Sequence, residues 1–428
     1  MKFNKTYALF VVLFVCSLVY LSTCVSAYPT VYPTGVTIYN ETEVYEGYTS
    51  FAVAGMEKGN STVYIIDMKG NVLHEWFIGN GGTLHNLILK NGHLISNRLG
   101  GKCPVMGCVA AIEERDWYGN LIWSYENNHL HHPAEIMPNG NIIAIFWEDL
   151  PKELNDEVKG GIPNTEAEGN KIYTDSIKII NRDKEIIWEW YPHKQLNISD
   201  WPLSYGENRE YWPNINRVEY LPEDNPFNKK ESLLVSFRAV DTIAIIDIET
   251  KEVVWKWGKG EIAHQHDPHL LSNGNILVFD NGFLRSNLPE LKAGKYFSRV
   301  IEINPRINQI VWEYAGFMPN RMRGFAFYSF IGGFAERLPN WNTLITETTT
   351  GRIFEINTEG EIVWEYIHTE ANLDSVFRFG TDEIDWPEKL SPPNPEKKIS
   401  LEEIPNWILL TIIIISTFFI IVYFLFRK

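Results

Sequence analysis

Three histidines fall within six residues in His264-Gln-His-Asp-Pro-His269, directly ahead of Leu270-Leu-Ser-Asn-Gly-Asn-Ile-Leu-Val-Phe-Asp-Asn-Gly282. The apolar, β-branched run behind the Asn-Gly turn reads as a buried strand entered from a tight hairpin, which sets the histidines just upstream of that turn. A neutral imidazole can attack an electrophile, carry a proton or bind a metal, and its charge changes near physiological pH. The same phrase recurs along the chain. His132 precedes Asn139 by seven residues, as His266 precedes Asn273, and His85 precedes Asn91 by six. In a fourth copy the position falls at Asn216, with Asn214 where His264 stands in the fifth, and in a sixth it falls at Gly333. His131 adjoins His132, Asn281 closes the strand behind His266, and Arg238 ends Val235-Ser-Phe-Arg238, which the repeat places on the fourth unit's inner strand. A cation among imidazoles, with no evident carboxylate at the shared position, suits a substrate that carries an oxyanion. The same residues admit a three-His zinc site made of His85, His132 and His266, although no general base or outer shell accompanies it. They also admit polar side chains that only hydrate a channel.

The positioning elements form a repeat. Six units close on an alternating aromatic pair: His74/Trp76, Trp123/Tyr125, Trp188/Trp190, Trp255/Trp257, Trp312/Tyr314 and Trp364/Tyr366. Ahead of most pairs stands an apolar strand and turn, as in Ile65-Ile-Asp-Met-Lys-Gly-Asn, and ahead of that an Asn-Gly hairpin such as Met137-Pro-Asn-Gly-Asn-Ile-Ile-Ala. About four strands per unit and no helical periodicity between residues 28 and 381 imply an all-β, six-bladed β-propeller over residues 28–385. In that fold the first strand of each blade lines the central channel, so equivalent positions of different blades converge on one axis. The first unit lacks the Asn-Gly strand and the last is followed by Ser375-Val-Phe-Arg-Phe, so the two ends of the domain are expected to complete one blade together.

The termini suggest the compartment. Residues 1–27 combine Lys2 and Lys5 with an apolar run and Val25-Ser-Ala27, the pattern of a signal peptide. Trp407 to Phe426 form an uncharged stretch of 20 residues, enough for a transmembrane helix, followed by Arg427-Lys428, which favours a cytoplasmic C-terminus. Residues 386–405 read as a Pro-rich linker and residues 406–428 as an anchor, which implies a single-pass cell-membrane protein with an extracellular propeller. Of four cysteines, Cys103 and Cys108 remain after removal of the leader, and an oxidising compartment favours a local disulfide between them. Asn40-Glu-Thr, Asn60-Ser-Thr and Asn197-Ile-Ser fit the glycosylation pattern. A net charge of −16 argues against nucleic acid as a partner.

Several phrases together resemble the arylsulfotransferase family of exported six-bladed propellers: His131-His132 ahead of Met-Pro-Asn-Gly-Asn, Gln265-His266-Asp267 ahead of Asn-Gly-Asn and Phe279-Asp-Asn-Gly282, Val235-Ser-Phe-Arg238, and Arg337-Leu-Pro-Asn before Thr343-Leu-Ile-Thr-Glu347. The resemblance spans roughly residues 80 to 370. It implies transfer of a sulfuryl group between phenols, without a nucleotide donor or other cofactor, through a sulfohistidine. By position it makes His266 the nucleophile, His132 or His85 a further catalytic histidine and Arg238 the pocket arginine. Asn214, Asn216, His264, His131 and Asn281 are then expected to contact a small phenolic or sulfated substrate. One departure stands out: where the family reads Asp-Trp-x-His-x-Asn, this chain reads Tyr211-Trp-Pro-Asn214-Ile-Asn216. An amide in place of that histidine donates a hydrogen bond but carries no proton at neutral pH, which leaves open a non-catalytic binding or envelope-associated propeller tethered at the surface.

Overall fold

A computed structural model describes residues 33–386, apart from 54–59, 81–82, 101–103, 106, 286–296, 317–326 and 381–382. The expected leader and anchor and most of the linker lie outside the described residues, among which no helix is long and apolar enough to cross a membrane.

The described chain forms six antiparallel sheets, the blades of a propeller. Counted from the inner strand outward, blade 2 comprises Thr83–Ile88, Leu94–Leu99, Val109–Arg115 and Leu121–Glu126. Blade 3 comprises Leu130–Ile136, Ile142–Asp149, Tyr173–Ile180 and Ile186–Trp190. Blade 4 comprises Ile215–Leu221, Ser232–Phe237, Thr242–Asp247 and Val253–Trp257, and blade 5 His266–Leu270, Ile276–Asp280, Arg299–Asn304 and Gln309–Tyr314. Blade 6 comprises Phe334–Arg337, Thr343–Glu347, Arg352–Ile356 and Ile362–Ile367.

Blade 1 joins the two ends of the domain: Leu373–Phe379 is its inner strand, and Tyr48–Val53, Asn60–Ile66 and Val72–Asn80 complete it. Tyr48 pairs with Phe379 and Val53 with Leu373, as the missing Asn-Gly strand required. A fifth strand, Gly35–Tyr39, lies against Ile362–Ile367 of blade 6 and stands outside the repeat.

Each aromatic pair sits on an outer strand, and six of the tryptophans in these pairs hydrogen-bond the neighbouring blade. Trp76 Nε1 donates to Asp116 O, Trp123 to Arg182 O, Trp188 to Ile248 O, Trp190 to Lys251 O, Trp255 to Asn308 Oδ1 and Trp364 to Met68 O. Every acceptor lies in the hairpin between the third and outer strands of the next blade. Between blades 5 and 6 the bond is replaced by Arg337, whose guanidinium lies 4.5 Å from the Trp312 ring. A ring that satisfies its indole N–H groups in this way can bury the rest of each side chain between sheets.

Among the described residues two long connections break the repeat, residues 150–172 within blade 3 and residues 191–214 between blades 3 and 4. Both are packed down by one large core that contains Trp147, Trp190, Trp201, Leu203, Tyr211, Trp212 and Phe237. The backbones of the two connections are also tied together, since Ile162 N donates to Glu207 O and Leu203 N to Lys159 O.

Candidate active site

The site is made by bulges. Five of the six inner strands slip register against their neighbour near the channel mouth, so extra residues on the inner strand oppose fewer on its partner. A bulge re-aims the side chain it carries. In blade 5, His266 pairs with Phe279 and His269 with Leu277, leaving Asp267 (φ 52) in the bulge. In blade 3, His131 pairs with Ile145 and Glu135 with Ile143, leaving His132 (φ 58) in it. Equal spacing from the Asn-Gly turn therefore did not mark equal register: the ladder counterpart of His266 is His131. His132 reaches the channel because the bulge turns it there. Its left-handed backbone, which costs about 1 kcal/mol or more for a non-glycine residue, is held by Asn97 Nδ2 donating to His132 O at 2.8 Å.

These residues surround an axial cavity of ≈ 400 Å³. His132, Asn214, Asn216, Arg238 and His266 all line it, among apolar walls that include Leu99, Pro133, Ile331 and Phe334. His131, His264 and Asn281 do not line it. They are 0–1% exposed and stand behind the lining residues. His85 lies in the bulged stretch of blade 2, and its side chain is outside the described residues. Of the expected cysteine pair, Cys108 lines the cavity while Cys103 is outside the described residues.

His266 is fixed in one tautomer. Asn281 donates through Nδ2 to Ser329 O at 2.8 Å and to Gly332 O at 2.5 Å, so its Oδ1, 2.7 Å from His266 Nδ1, must accept. The carbonyl of His264, 3.1 Å from the same Nδ1, is a second acceptor. The proton consequently rests on Nδ1, and Nε2 keeps its lone pair. Burial, followed by the nearby Arg238 guanidinium, pushes the His266 pKa down to about 4, so the ring is neutral at physiological pH.

Arg238 follows the second strand of blade 4, not the inner strand on which the repeat had placed it. Its backbone N donates to Asn214 O at 2.9 Å, and its Nη1 donates to Glu207 Oε1 at 3.1 Å. Glu207, from the long connection, also meets His264 Nε2 at 2.5 Å and accepts from Tyr211 Oη at 3.0 Å. Burial alone would raise this carboxyl, but the bond to His264 and the charge of Arg238 outweigh it and hold the pKa down to about 2. The residue is thus an anionic clamp that fixes a cation at the cavity wall. Nothing in the repeat marks it.

Asn214 sits at φ 61, its N–H bound to Asp175 Oδ2 at 2.9 Å, and its side-chain amide faces the cavity. Asn216 ties blade 4 to blade 5 by donating through Nδ2 to Gln265 O at 2.8 Å. His131 stacks on Trp147 with centroids 3.9 Å apart, and its Nδ1 shares a proton with His132 Nδ1 at 2.7 Å. Burial, then the charge of His131, pushes the His132 pKa well below its ordinary value.

Carboxylates, absent from the shared position as read from the sequence, do line the cavity: Asp267 and Asp374, with Arg217 near both. Asp267 lies 3.0 Å from His269 Nε2 and 3.5 Å from Arg217 Nε, and despite burial these cations hold its pKa below the ordinary value. Among the described residues no group of His, Cys, Asp and Glu is arranged to hold a metal.

A closed six-bladed propeller with its functional groups gathered at one end of the axis defines the class of protein. Within that class, the model of the family described as arylsulfotransferase (ASST) matches residues 88–369, and the chain belongs to this family. No curated protein matches the chain. Among solved structures it is similar to a protein of unknown function from Bacteroides caccae, at 14% identity and a TM-score of 0.48 over 78% of this chain and 98% of that one. It is also similar to the Dos1 propeller, at 11% and 0.37 over 79% and 74%, and to a streptogramin B lyase, at 12% and 0.41 over 79% and 88%. A likeness this distant says nothing of function.

Proposed function

We propose that the protein is an aryl-sulfate sulfotransferase that moves a sulfuryl group from one phenol to another through a sulfohistidine at His266. The observation that carries this reading is the Asn281 hydrogen bond to His266 Nδ1, which leaves a neutral ring with a bare Nε2 beside Arg238 in a largely apolar cavity. In the donor step the Nε2 lone pair attacks sulfur, an N–S bond forms, and the S–O bond to the aryl group breaks with its electrons leaving on the phenol oxygen. The Nδ1 proton stays against Asn281 and shares the positive charge that develops on the ring. In the acceptor step a second phenol loses its proton, which balances the one the released phenolate takes up, as its oxygen attacks sulfur and the N–S electrons return to His266; this gives ping-pong kinetics.

Arg238, Asn214, His132 and, by its place in blade 2, His85 bond the sulfuryl oxygens as their charge is redistributed. The Glu207 clamp supports this by holding the guanidinium in place before substrate arrives. Incubation with p-nitrophenyl sulfate should release p-nitrophenol and leave an acid-labile sulfuryl group on His266, and His266→Asn should abolish both. A chelator should change neither. No phenol release from any aryl sulfate by folded wild-type protein overturns the reading.

The setting belongs to the same proposal. The lysine-flanked apolar leader, the uncharged stretch Trp407 to Phe426 and Arg427-Lys428 support a propeller held outside the cell on a C-terminal anchor, with Cys103 and Cys108 paired.

A further inference from the structure

Sulfuryl transfer from an ordinary phenol needs a proton. A phenolate whose parent acid has a pKa of about 10 is a poor leaving group unless its oxygen is protonated as the bond breaks. Attacking and leaving atoms stand roughly in line, as in phosphoryl transfer, so the leaving oxygen departs on the side of the channel away from His266. Blade 2 faces blade 5 across the axis, and blades 1 and 3 flank that position. Blade 3 offers His132, but its Nδ1 is engaged by His131, and burial and the charge of His131 disfavour its protonated form. Its neutral ring can donate a hydrogen bond but is too weak an acid to protonate a leaving phenol. Asn214, at the entry to blade 4, carries no titratable proton.

Blade 1 offers Asp374. Asp374 pairs with Ala52 and Phe377 with Ser50, the same spacing by which His266 pairs with Phe279 and His269 with Leu277. Each is the last paired residue before the bulge of its inner strand, so the carboxyl stands at the height of the nucleophile. Asp374 is half-buried and lines the cavity. Its Oδ1 accepts the Ser375 hydroxyl at 2.9 Å, and among the described residues no cation lies within ion-pair distance of it. Asp267 is unlike it in this respect, being committed to Arg217 and His269. The charged groups that act on Asp374 are Asp267 of blade 5 and Arg217 of blade 4.

Resting on the sulfotransferase reading, we propose that Asp374 is the general acid and base of the transfer. Its carboxyl proton passes to the leaving phenol oxygen as the S–O bond breaks, giving a free phenol, an uncharged sulfohistidine zwitterion and a carboxylate. That carboxylate then takes the proton of the acceptor phenol as its oxygen attacks sulfur and the N–S bond breaks, which restores both residues. Burial raises the Asp374 pKa to about 8, so the carboxyl is protonated at neutral pH, as the donor step requires.

The test compares phenyl sulfate, whose leaving group needs the proton, with p-nitrophenyl sulfate, whose leaving group scarcely does. Asp374→Asn keeps the shape and should lower kcat/KM for phenyl sulfate by about 10²-fold and for p-nitrophenyl sulfate by less than tenfold. Activity on the nitrophenyl ester also reports that the variant is folded. In the wild type alone, kcat/KM for phenyl sulfate should fall as pH rises through about 8, and this limb should vanish in the variant. Equal losses on the two esters, or a limb that persists in Asp374→Asn, overturns the assignment and leaves the sulfotransferase reading standing. Release of phenol from neither ester by the wild type removes that reading and the assignment together.

Discussion

Glu207→Gln removes one negative charge from a site 4% exposed and leaves the shape unchanged. The carboxylate it replaces holds Arg238 at 3.1 Å and His264 at 2.5 Å, and its pKa is held down to about 2 from an ordinary 4.5. At about 1.4 kcal/mol for each tenfold change in proton affinity, that difference corresponds to about 3 kcal/mol of charge-dependent stability. A carboxyl whose folded pKa is depressed stabilises the protein above its unfolded pKa, and the contribution is lost as pH falls toward the folded value. Wild type and Glu207→Gln should therefore differ fully above about pH 5, and the difference should shrink from about pH 4.5 downward. Guanidinium denaturation of both proteins at pH 7, 5, 4 and 3 reads it directly. A difference that stays constant across that range would falsify the clamp, because a shape effect does not titrate. Activity supplies a second reading: with the guanidinium less firmly held, kcat/KM for aryl sulfates should fall roughly tenfold.

Other expectations follow from single contacts. Asn281→Leu frees His266 to protonate Nε2 and strands the Gly332 carbonyl, so it should cut the rate of sulfuryl transfer by about 10²-fold and lower stability by about 1–3 kcal/mol; unchanged burst kinetics would remove the tautomer lock from the mechanism. Asn214→His should raise turnover, by up to about 10²-fold if a second proton carrier is what the site lacks, and an unchanged or lower rate would show that the amide is already sufficient. Protease added to intact cells should release a fragment ending near Pro392, and protection of the propeller would reverse the orientation. Alkylation of the denatured, unreduced protein should label neither Cys103 nor Cys108.

The sequence displayed the propeller because the aromatic pair closes every unit and the Asn-Gly hairpin recurs in three of them, at Asn91, Asn139 and Asn273, and both signals are fixed by nearest-neighbour geometry. The closure was legible too, since a unit without an inner strand must borrow one. His132 is turned into the cavity by a bulge and Arg238 enters it from the end of a second strand, but the convergence of Asn214, Asn216 and His266 there followed from blade symmetry. The inner-strand bulges did not, because a slip in hydrogen-bond register leaves no mark in residue counts. For that reason the ladder counterpart of His266 is His131, although residue counts set His132 there. Glu207 was missed for a different reason: it stands in a connection that has no counterpart in the other blades, and only the packing of Trp201, Leu203 and Trp212 brings it to Arg238. Asp374 was hidden by its neighbours, as Ser375-Val-Phe-Arg announced a closing strand and the residue before it drew no notice. Gly35–Tyr39, outside the repeat, offered no periodicity to read.

The borrowed strand of blade 1 has a temporal meaning. Of the strands that make up the ring Tyr48–Val53 is synthesised first, yet its partner Leu373–Phe379 arrives more than three hundred residues later. At about 5–20 residues per second the early strand waits on the order of 15–60 s for it. During that time its edge is open, and five blades can form without closing a ring. Because Leu373–Phe379 also brings Asp374 to the cavity, the step that seals the ring completes the site as well. A chain cut short between blade 5 and that strand would hold His266 and Arg238 in a site that lacks its blade 1 wall. Ribosome-bound and prematurely ended chains should accordingly be silent, with activity appearing in one step when the last strand docks.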